Sequence, residues 1–212
     1  MARIAKPKIE INLPEKPDPT KGAGVWPFKL DSVENWAWSN NVFTPEELDA
    51  IIEVGNSTEL LKASTYGPVQ DDKNRNSYVT FLQPNEYTNW IFSKFAGVIT
   101  SINQQFFGFD LTGMEQGLQF TRYKAPGQHY DWHIDRGYNT PVRKLSVSLQ
   151  LSDPADYKGG ELELMFGRKA EKLPRERGLM VLFPSYVLHR VRPVSLGTRY
   201  SLVCWVSGPP FK

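Results

Sequence analysis

The run His129-Tyr-Asp-Trp-His-Ile-Asp135 alternates ionisable and apolar side chains without a break. Successive side chains on a strand face opposite ways, so His129, Asp131, His133 and Asp135 are expected on one face and Tyr130, Trp132 and Ile134 on the other. Such a segment needs a β-rich setting, and the chain from residue 118 onward supplies one. Short strands are predicted at 118–123, 129–135, 143–151, 161–166, 178–183, 187–192 and 199–206. Turn chemistry separates them at Pro126-Gly127, Arg136-Gly137-Tyr138-Asn139, Asp153-Pro154, Gly159-Gly160, Gly167, Pro184-Ser185 and Leu196-Gly197.

Upstream of these strands the period changes. Thr44 has the chemistry of an N-cap, Pro45 suits the first helical position, and Glu47 completes a capping box. Phe43 and Leu48 are spaced for a hydrophobic staple; Leu48, Ile51 and Ile52 make the buried face, and Gly55-Asn56 is expected to stop the helix. A longer helix is predicted from about 86 to 105, where Ile91, Phe95, Val98, Ile99, Ile102 and Phe106 recur at helical spacing before Gly108. Between the helices, Tyr66 to Asn76 has loop chemistry, which fits either a solvated connection or a flap over a site.

Residues 1–30, rich in Pro and Lys, read as an extended arm, with a short strand open at Ile9 to Leu13. The fold class expected is mainly β with supporting α-helices: a double-stranded β-helix (a cupin-like jelly roll) with N-terminal helices packed on one sheet. After the arm, 31–212 is expected to form a single domain, with helical support over 31–112 and the jelly-roll core over 113–212.

Lys plus Arg number 25 against 23 Asp plus Glu, a net charge of +2 that carries no electrostatic footprint of a nucleic-acid or membrane-surface protein. The single cysteine, Cys204, excludes an internal disulfide and lies in the apolar run Leu202-Val-Cys-Trp-Val206, where an inert buried thiol is expected. No apolar stretch has the length of a signal peptide core at the N-terminus or of a bilayer span elsewhere. A cytoplasmic location is the expectation.

Four ionisable groups on one strand face are expensive to bury without partners, and a metal would satisfy them. Only three histidines exist, and the third, His189, opens a later strand after Phe183-Pro-Ser-Tyr-Val-Leu. Two histidines and one carboxylate on adjacent strands make the facial triad of a non-haem Fe(II) site, leaving positions open for other ligands. A structural zinc site would be closed by four ligands, usually with thiolates. Both His129/Asp131 and His133/Asp135 satisfy His-x-Asp; the second pair is favoured by its place at the strand end beside the Arg136-Gly137 turn. Ten residues past His189, Arg199 follows Ser195-Leu-Gly-Thr198, which reads as a hairpin turn. The hairpin would bring Arg199, Ser201, Val203 and Trp205 beside His189. A dicarboxylate bound to iron at one end would give the arginine a bidentate partner at the other. The ordinary alternative is an ion pair with Glu161, Glu163 or Asp131.

These residues fall in a longer pattern. Leu-Gln-Phe-Thr-Arg-Tyr123, Gly127 to Asp135, Gly159-Gly-Glu-Leu162, Leu182-Phe-Pro184, His189, Gly197-Thr-Arg-Tyr200 and Trp205 resemble, in order and spacing, the Fe(II)/2-oxoglutarate-dependent dioxygenases of the prolyl 4-hydroxylase branch. The Phe-Thr-Pro-Glu-Glu-Leu48 helix start resembles the family's N-terminal support. The resemblance implies His133, Asp135 and His189 as iron ligands and Arg199 as the partner of the distal carboxylate of 2-oxoglutarate. It assigns Tyr123 to the cosubstrate and Gln150 to a second polar contact on the same carboxylate; Trp205 and Gln119 would line the cavity. The cofactors implied are Fe(II), 2-oxoglutarate and dioxygen, with ascorbate as an optional reductant. Tyr130 matches an aromatic position near the substrate mouth in the family pattern, whereas alternation turns it away from the iron. His129 and Asp131 are left without a role as ligands.

The activity implied is decarboxylation of 2-oxoglutarate to succinate and CO2, coupled to hydroxylation of an unactivated C–H. A peptidyl proline is the favoured substrate, and a free amino acid or other small molecule is the alternative. Nucleic-acid demethylation is disfavoured, because Gly-Thr-Arg-Tyr-Ser-Leu-Val replaces the Arg-x-Asn-x-Thr-x-Arg expected around the distal arginine. From another class, a non-redox metal-binding jelly-roll module would share the triad without needing Arg199 and Tyr123.

Overall fold

The computed structural model describes residues 2–4, 33–64, 71–135 and 142–210. In chain order the elements are β1 (Ala2–Ile4), β2 (Ala37–Ser39), α1 (Pro45–Ser57), β3 (Leu61–Lys62), β4 (Arg75–Asn76), β5 (Tyr78–Leu82) and α2 (Asn89–Ile102). The second half adds β6 (Leu118–Lys124), β7 (His129–His133), β8 (Arg143–Gln150), β9 (Tyr157–Gly159), β10 (Leu162–Phe166) and β11 (Lys169–Lys172). It ends with β12 (Met180–Pro184), β13 (His189–Val191) and β14 (Val194–Ser207). A nine-stranded sheet runs in the order β1-β2-β12-β8-β14-β6-β5-β3, with β9 attached to β14, and faces a five-stranded sheet ordered β11-β10-β13-β7-β4. The strand pairings are antiparallel, and the whole is the double-stranded β-helix expected from the sequence.

Both helices lie on the outer face of the nine-stranded sheet. Leu48 and Ile51 of α1 and Ile91, Phe95, Ile99 and Ile102 of α2 share one apolar cluster with Leu118, Phe120, Leu145, Leu149, Leu202 and Cys204. A second cluster, containing Leu164, Val181, Phe183, Val187 and Val191, fills the space between the sheets. Alternation along β8 separates the two environments: Leu145, Val147 and Leu149 serve the helix side, which frees Ser146 and Ser148 for the inner side.

The α1 start forms as its sequence dictates. The Glu47 amide donates to Thr44 Oγ1 at 3.3 Å and the Thr44 amide to Glu47 Oε2 at 2.8 Å. Its end does not: the helix continues through Gly55-Asn56 to Ser57. Gly55 is a packing residue, because a Cβ there would stand 2.5 Å from the Phe120 ring. Phe120 is fully buried and stacked on Tyr200, so it has no room to yield. Gly55→Ala is therefore expected to destabilise the fold by about 1–3 kcal/mol, despite alanine's better helix propensity. Urea denaturation checks this, and an unchanged midpoint would contradict the packing argument. The second helix ends at Ile102, passes into one π-type turn at Asn103–Phe107, and is closed by Gly108 at φ 65°.

The expected hairpin between His189 and Arg199 is absent. Only Arg192-Pro193 separates β13 from β14, yet β13 pairs with β10 and β7 while β14 pairs with β6 and β8. The chain changes sheets there. Proline 193 lacks the N–H that a continuing ladder would need, and Gly197, at φ 73°, is a kink inside one strand that pairs with Tyr157. The consequence is geometric: Arg199 faces His189 across the sandwich rather than from the neighbouring strand. Seven strands outside the expected set complete the sheets: β1 to β5 upstream of residue 118, and β9 and β11 within the jelly-roll half. Of the expected arm, Ala2–Ile4 pairs with β2; Ile9 to Leu13 and the loop at 136–141 lie outside the described residues. Of the expected 66–76 loop, residues 71–74 make a turn and Arg75-Asn76 joins the edge of the five-stranded sheet beside β7.

Candidate metal centre and cosubstrate pocket

His133 and His189 are directly opposed across β7 and β13. Asp135 lies just past the end of β7, and its amide donates to the Ser185 carbonyl at 2.9 Å. Together these three offer ligand atoms that all lie within 4.8 Å of one another. His189 Nε2 is 3.3 Å from Asp135 Oδ2, and His133 Nε2 is 3.7 Å from Asp135 Oδ1. In both rings Nδ1 is tied to a backbone carbonyl two residues back, Asp131 at 2.7 Å and Val187 at 2.9 Å. A carbonyl accepts and never donates, so each Nδ1 carries its hydrogen and each Nε2 faces the cluster as a potential donor to metal. Two such nitrogens and one carboxylate, open on one side, fit the donor set of a non-haem Fe(II) site.

The electrostatics of the metal-free cluster follow from burial. Burial pushes the His133 imidazole down to about 3, helped by the neighbouring His189. Burial would also push His189 down, but the Asp135 charge and hydrogen bond outweigh it and raise the group above its ordinary 6.5. For Asp135, burial opposes ionisation, yet His189, His133 and the Ser146 hydroxyl together hold the carboxyl well below its usual range. The Asp135 carboxylate thus favours a proton on His189, which competes with metal for the same nitrogen. Metal uptake is expected to be accompanied by proton release, and affinity should strengthen as pH rises, because the raised His189 keeps its proton to higher pH than an ordinary imidazole. Calorimetry in two buffers of different ionisation enthalpy measures this, and uptake without proton release would contradict it.

The remaining residues of the opening strand separate from the cluster because β7 is bulged. His189 opposes His133, but Val191 opposes Tyr130, so between these pairs two residues of β7, Asp131 and Trp132, face one of β13, Arg190. That extra residue reverses the alternation. Tyr130, expected to face away, turns inward and stacks on the His133 ring with centroids 3.4 Å apart. His129 leaves the site: its ring nitrogens lie against the carbonyls of Gly127 and Lys73 at 2.8 and 3.1 Å. Asp131 is exposed at 4.0 Å from Arg190.

A partly enclosed cavity opens on the triad. Its far wall comes from the nine-stranded sheet. The alternating set Arg199, Ser201, Val203 and Trp205 lines it, with Gln119 and Tyr123 from β6. Arg199 is 2% exposed. Its Nη2 donates to Gln150 Oε1 at 2.8 Å and its Nη1 to Ser201 Oγ at 3.3 Å, both neutral partners. Gln150 therefore stands behind the arginine rather than on the cavity wall. None of the carboxylates weighed as an ordinary partner reaches Arg199: Glu163 pairs with Arg190 and Arg192, and Asp131 faces Arg190. Among the described residues no carboxylate pairs with this buried cation. Gly160 keeps its stem clear, since a Cβ there would press on Arg199 Cδ at 3.0 Å. Burial raises the Tyr123 phenol above its ordinary value, against the opposing pull of Arg75 and Arg199, so its hydroxyl stays a hydrogen-bond donor. Trp205 lines the cavity under the Arg143 guanidinium, 4.1 Å from its ring centre, and its buried indole nitrogen has no hydrogen-bond partner among the described residues.

Sequence reading passed over Arg75, which looked like part of a solvated turn. Pairing of Arg75 with Tyr130 across β4 and β7 buries it to 8% exposure at the cavity, over the Tyr130 ring at 4.4 Å. Its Nε donates to Ser77 Oγ at 3.0 Å. The only available signal was a basic residue two positions before a β-type run, which is too common to single out.

Residues 118–207 match the 2OG-Fe(II) oxygenase superfamily. A PKHD-type hydroxylase of Prochlorococcus marinus (strain NATL2A) is 40% identical over 99 residues, covering 46% of this chain and 44% of that protein. One from Pseudomonas fluorescens is 46% identical over 92 residues, 39% of each chain. The chain thus matches less than half the length of these relatives. Among solved structures, a Pseudomonas putida prolyl-4-hydroxylase superposes with a TM-score of 0.65 at 22% identity, covering 83% of this chain and 94% of that one. A Trichoplax adhaerens prolyl hydroxylase, solved with a peptide fragment of the hypoxia inducible factor oxygen degradation domain, gives 0.70 at 20% identity over 82% and 84%. The likeness to 2-oxoglutarate-dependent oxygenases read from the sequence is borne out over the jelly-roll half, and the fold is that of the prolyl hydroxylase structures.

Proposed function

We propose that this chain is an Fe(II)- and 2-oxoglutarate-dependent oxygenase that hydroxylates an unactivated C–H, with a peptidyl proline as the favoured substrate. The observation that carries the reading is Arg199, a buried guanidinium without an anionic partner among the described residues, at the far wall of a cavity that opens on a two-histidine, one-carboxylate cluster. A buried cation is costly unless paired, and a dicarboxylate reaching from the cluster to the arginine would pair it. A non-redox metal-binding module has no use for that arginine.

In this reading His133, Asp135 and His189 hold the iron, which supplies oxygen activation coupled to decarboxylation of 2-oxoglutarate when bound. The protein's own residues do the rest. Arg199 takes the distal carboxylate through its fork of N–H donors. Tyr123 adds its hydroxyl to the same end, and Gln150 keeps the guanidinium aimed. Tyr130 and Trp205 shape the mouth where the substrate enters, and the apolar surround keeps water away. Residues 31–212 act as one catalytic domain behind the arm, and ascorbate is an optional reductant. Among the described residues no helix is long and apolar enough to cross a membrane, and a cytoplasmic site of action goes with the single buried thiol.

A proline-bearing peptide is favoured by the prolyl hydroxylase structures that share the fold, one of them solved with a peptide. One observation favours a second reading. Arg75 is also buried at the cavity with no carboxylate partner among the described residues, which would suit the carboxylate of a free amino acid. The test is Fe(II)-dependent conversion of 2-oxoglutarate to succinate in the presence of proline-containing peptides or free amino acids, with mass spectrometry for the gain of one oxygen. Succinate together with an oxidised peptide is the expected result. Oxidised free amino acid with untouched peptide would favour the second reading, and no turnover with peptide, amino acid or cell extract would favour the binding module.

A further inference from the structure

We propose that Ser146, backed by Ser185, is a positioning residue that fixes the Asp135 carboxylate for one-oxygen metal binding; the inference rests on the iron-site reading above. Asp135 has a weak claim to order from its own strand. It lies beyond the end of β7. Three contacts from other elements hold it instead. Its amide donates to the Ser185 carbonyl at 2.9 Å, Arg143 Nη1 donates to its carbonyl at 3.2 Å, and Ser146 Oγ donates to its Oδ2 at 2.6 Å.

The serine contact is the one that acts on the ligand atoms. Ser146 is 1% exposed and Ser185 is fully buried, with their hydroxyl oxygens 3.0 Å apart. A hydroxyl has one hydrogen. Ser146 spends it on the charged carboxylate, so Ser185 must be the donor to Ser146. The result is a directed chain, Ser185 to Ser146 to Asp135 Oδ2. Ser185 is itself held by its amide on the Lys144 carbonyl at 2.9 Å and begins the turn that leads to His189. The chain therefore ties the carboxylate ligand on one side of the site to the segment that delivers the distal histidine. Among the described residues nothing donates a hydrogen bond to Oδ1, which faces His133 Nε2. Engaging Oδ2 leaves Oδ1 as the oxygen free for metal and discourages a bidentate grip that would use up an open position. Outer partners of this kind orient ligands and tune affinity in metal sites generally. Residue 146 is expected to need a hydroxyl, not simply a small side chain.

The test uses Co(II) titrated into the metal-free protein, residues 1–212, read as a dissociation constant and as the visible absorption spectrum of the complex. Wild type, Ser146→Ala, Ser146→Thr and Ser185→Ala are compared. Ser146→Ala is expected to weaken Co(II) binding by roughly 10–100-fold and to shift the spectrum, while Ser146→Thr, which keeps the hydroxyl, restores both. Ser185→Ala, one bond removed, should give a smaller loss in the same direction. Should Ser146→Ala fail to fold, Ser185→Ala decides. If the alanine variants that fold bind Co(II) with the wild-type constant and spectrum, the positioning role is overturned and the metal site stands. If wild type binds no Co(II), the metal site is overturned, and the positioning role with it.

Discussion

His133→Ala and Asp135→Ala are each expected to abolish succinate formation and to leave the purified protein without stoichiometric iron. The reason lies in how few donors the site has. Its three ligand atoms come from the end of β7 and the start of β13, and no further His, Cys, Asp or Glu joins them among the described residues. Loss of a histidine leaves two donors, too few for a specific site. Loss of Asp135 removes the only anionic ligand of the cluster and strands Ser146 and His189 without their partner. His129→Ala is the informative comparison, since its nitrogens lie against backbone carbonyls outside the cluster. Its iron content should match wild type. Full turnover in either of the first two variants would sink the site assignment.

Arg199→Met is expected to raise the KM for 2-oxoglutarate by on the order of 10²–10³-fold, the size expected from losing one partner of a buried, hydrogen-bonded charge pair. The same substitution should leave the ligand-free protein as stable as wild type or make it more stable. In the absence of cosubstrate the buried guanidinium has, among the described residues, the neutral partners Gln150 and Ser201 and the face of the Tyr123 ring, and an apolar side chain of similar length removes the desolvation penalty. The two effects run in opposite directions, which a simple packing role would not produce. Thermal melts with and without 2-oxoglutarate separate them: the cosubstrate should raise the wild-type midpoint and leave that of Arg199→Met unmoved. A variant that is destabilised without ligand yet still protected by 2-oxoglutarate would contradict the role given to Arg199.

What the sequence made legible was local. The Thr44-to-Glu47 capping box, the inward set Arg199, Ser201, Val203 and Trp205, and the scarcity of histidines each depend on near neighbours or on residue identity. All can be read without knowing what lies across the fold. What it hid depends on partners distant in sequence. The β7 bulge exists only because β13 sets one residue against two of β7, so alternation misplaced Tyr130 and His129. Ser195-Leu-Gly-Thr198 has turn composition, but Gly197 serves a kink against Tyr157, and the hairpin expected from it is a crossing between sheets. Gly55 looked like a stop and is a contact with Phe120. Arg75, Ser146 and Ser185 carry no pattern at all; they matter through what tertiary structure sets beside them.

The most direct measurement is iron-edge anomalous diffraction from crystals grown anaerobically with Fe(II) and 2-oxoglutarate. The expected result is a single peak bonded to His133 Nε2, Asp135 and His189 Nε2, with the distal carboxylate of 2-oxoglutarate on Arg199. A peak at His129 and Asp131, or 2-oxoglutarate bound away from Arg199, would contradict it.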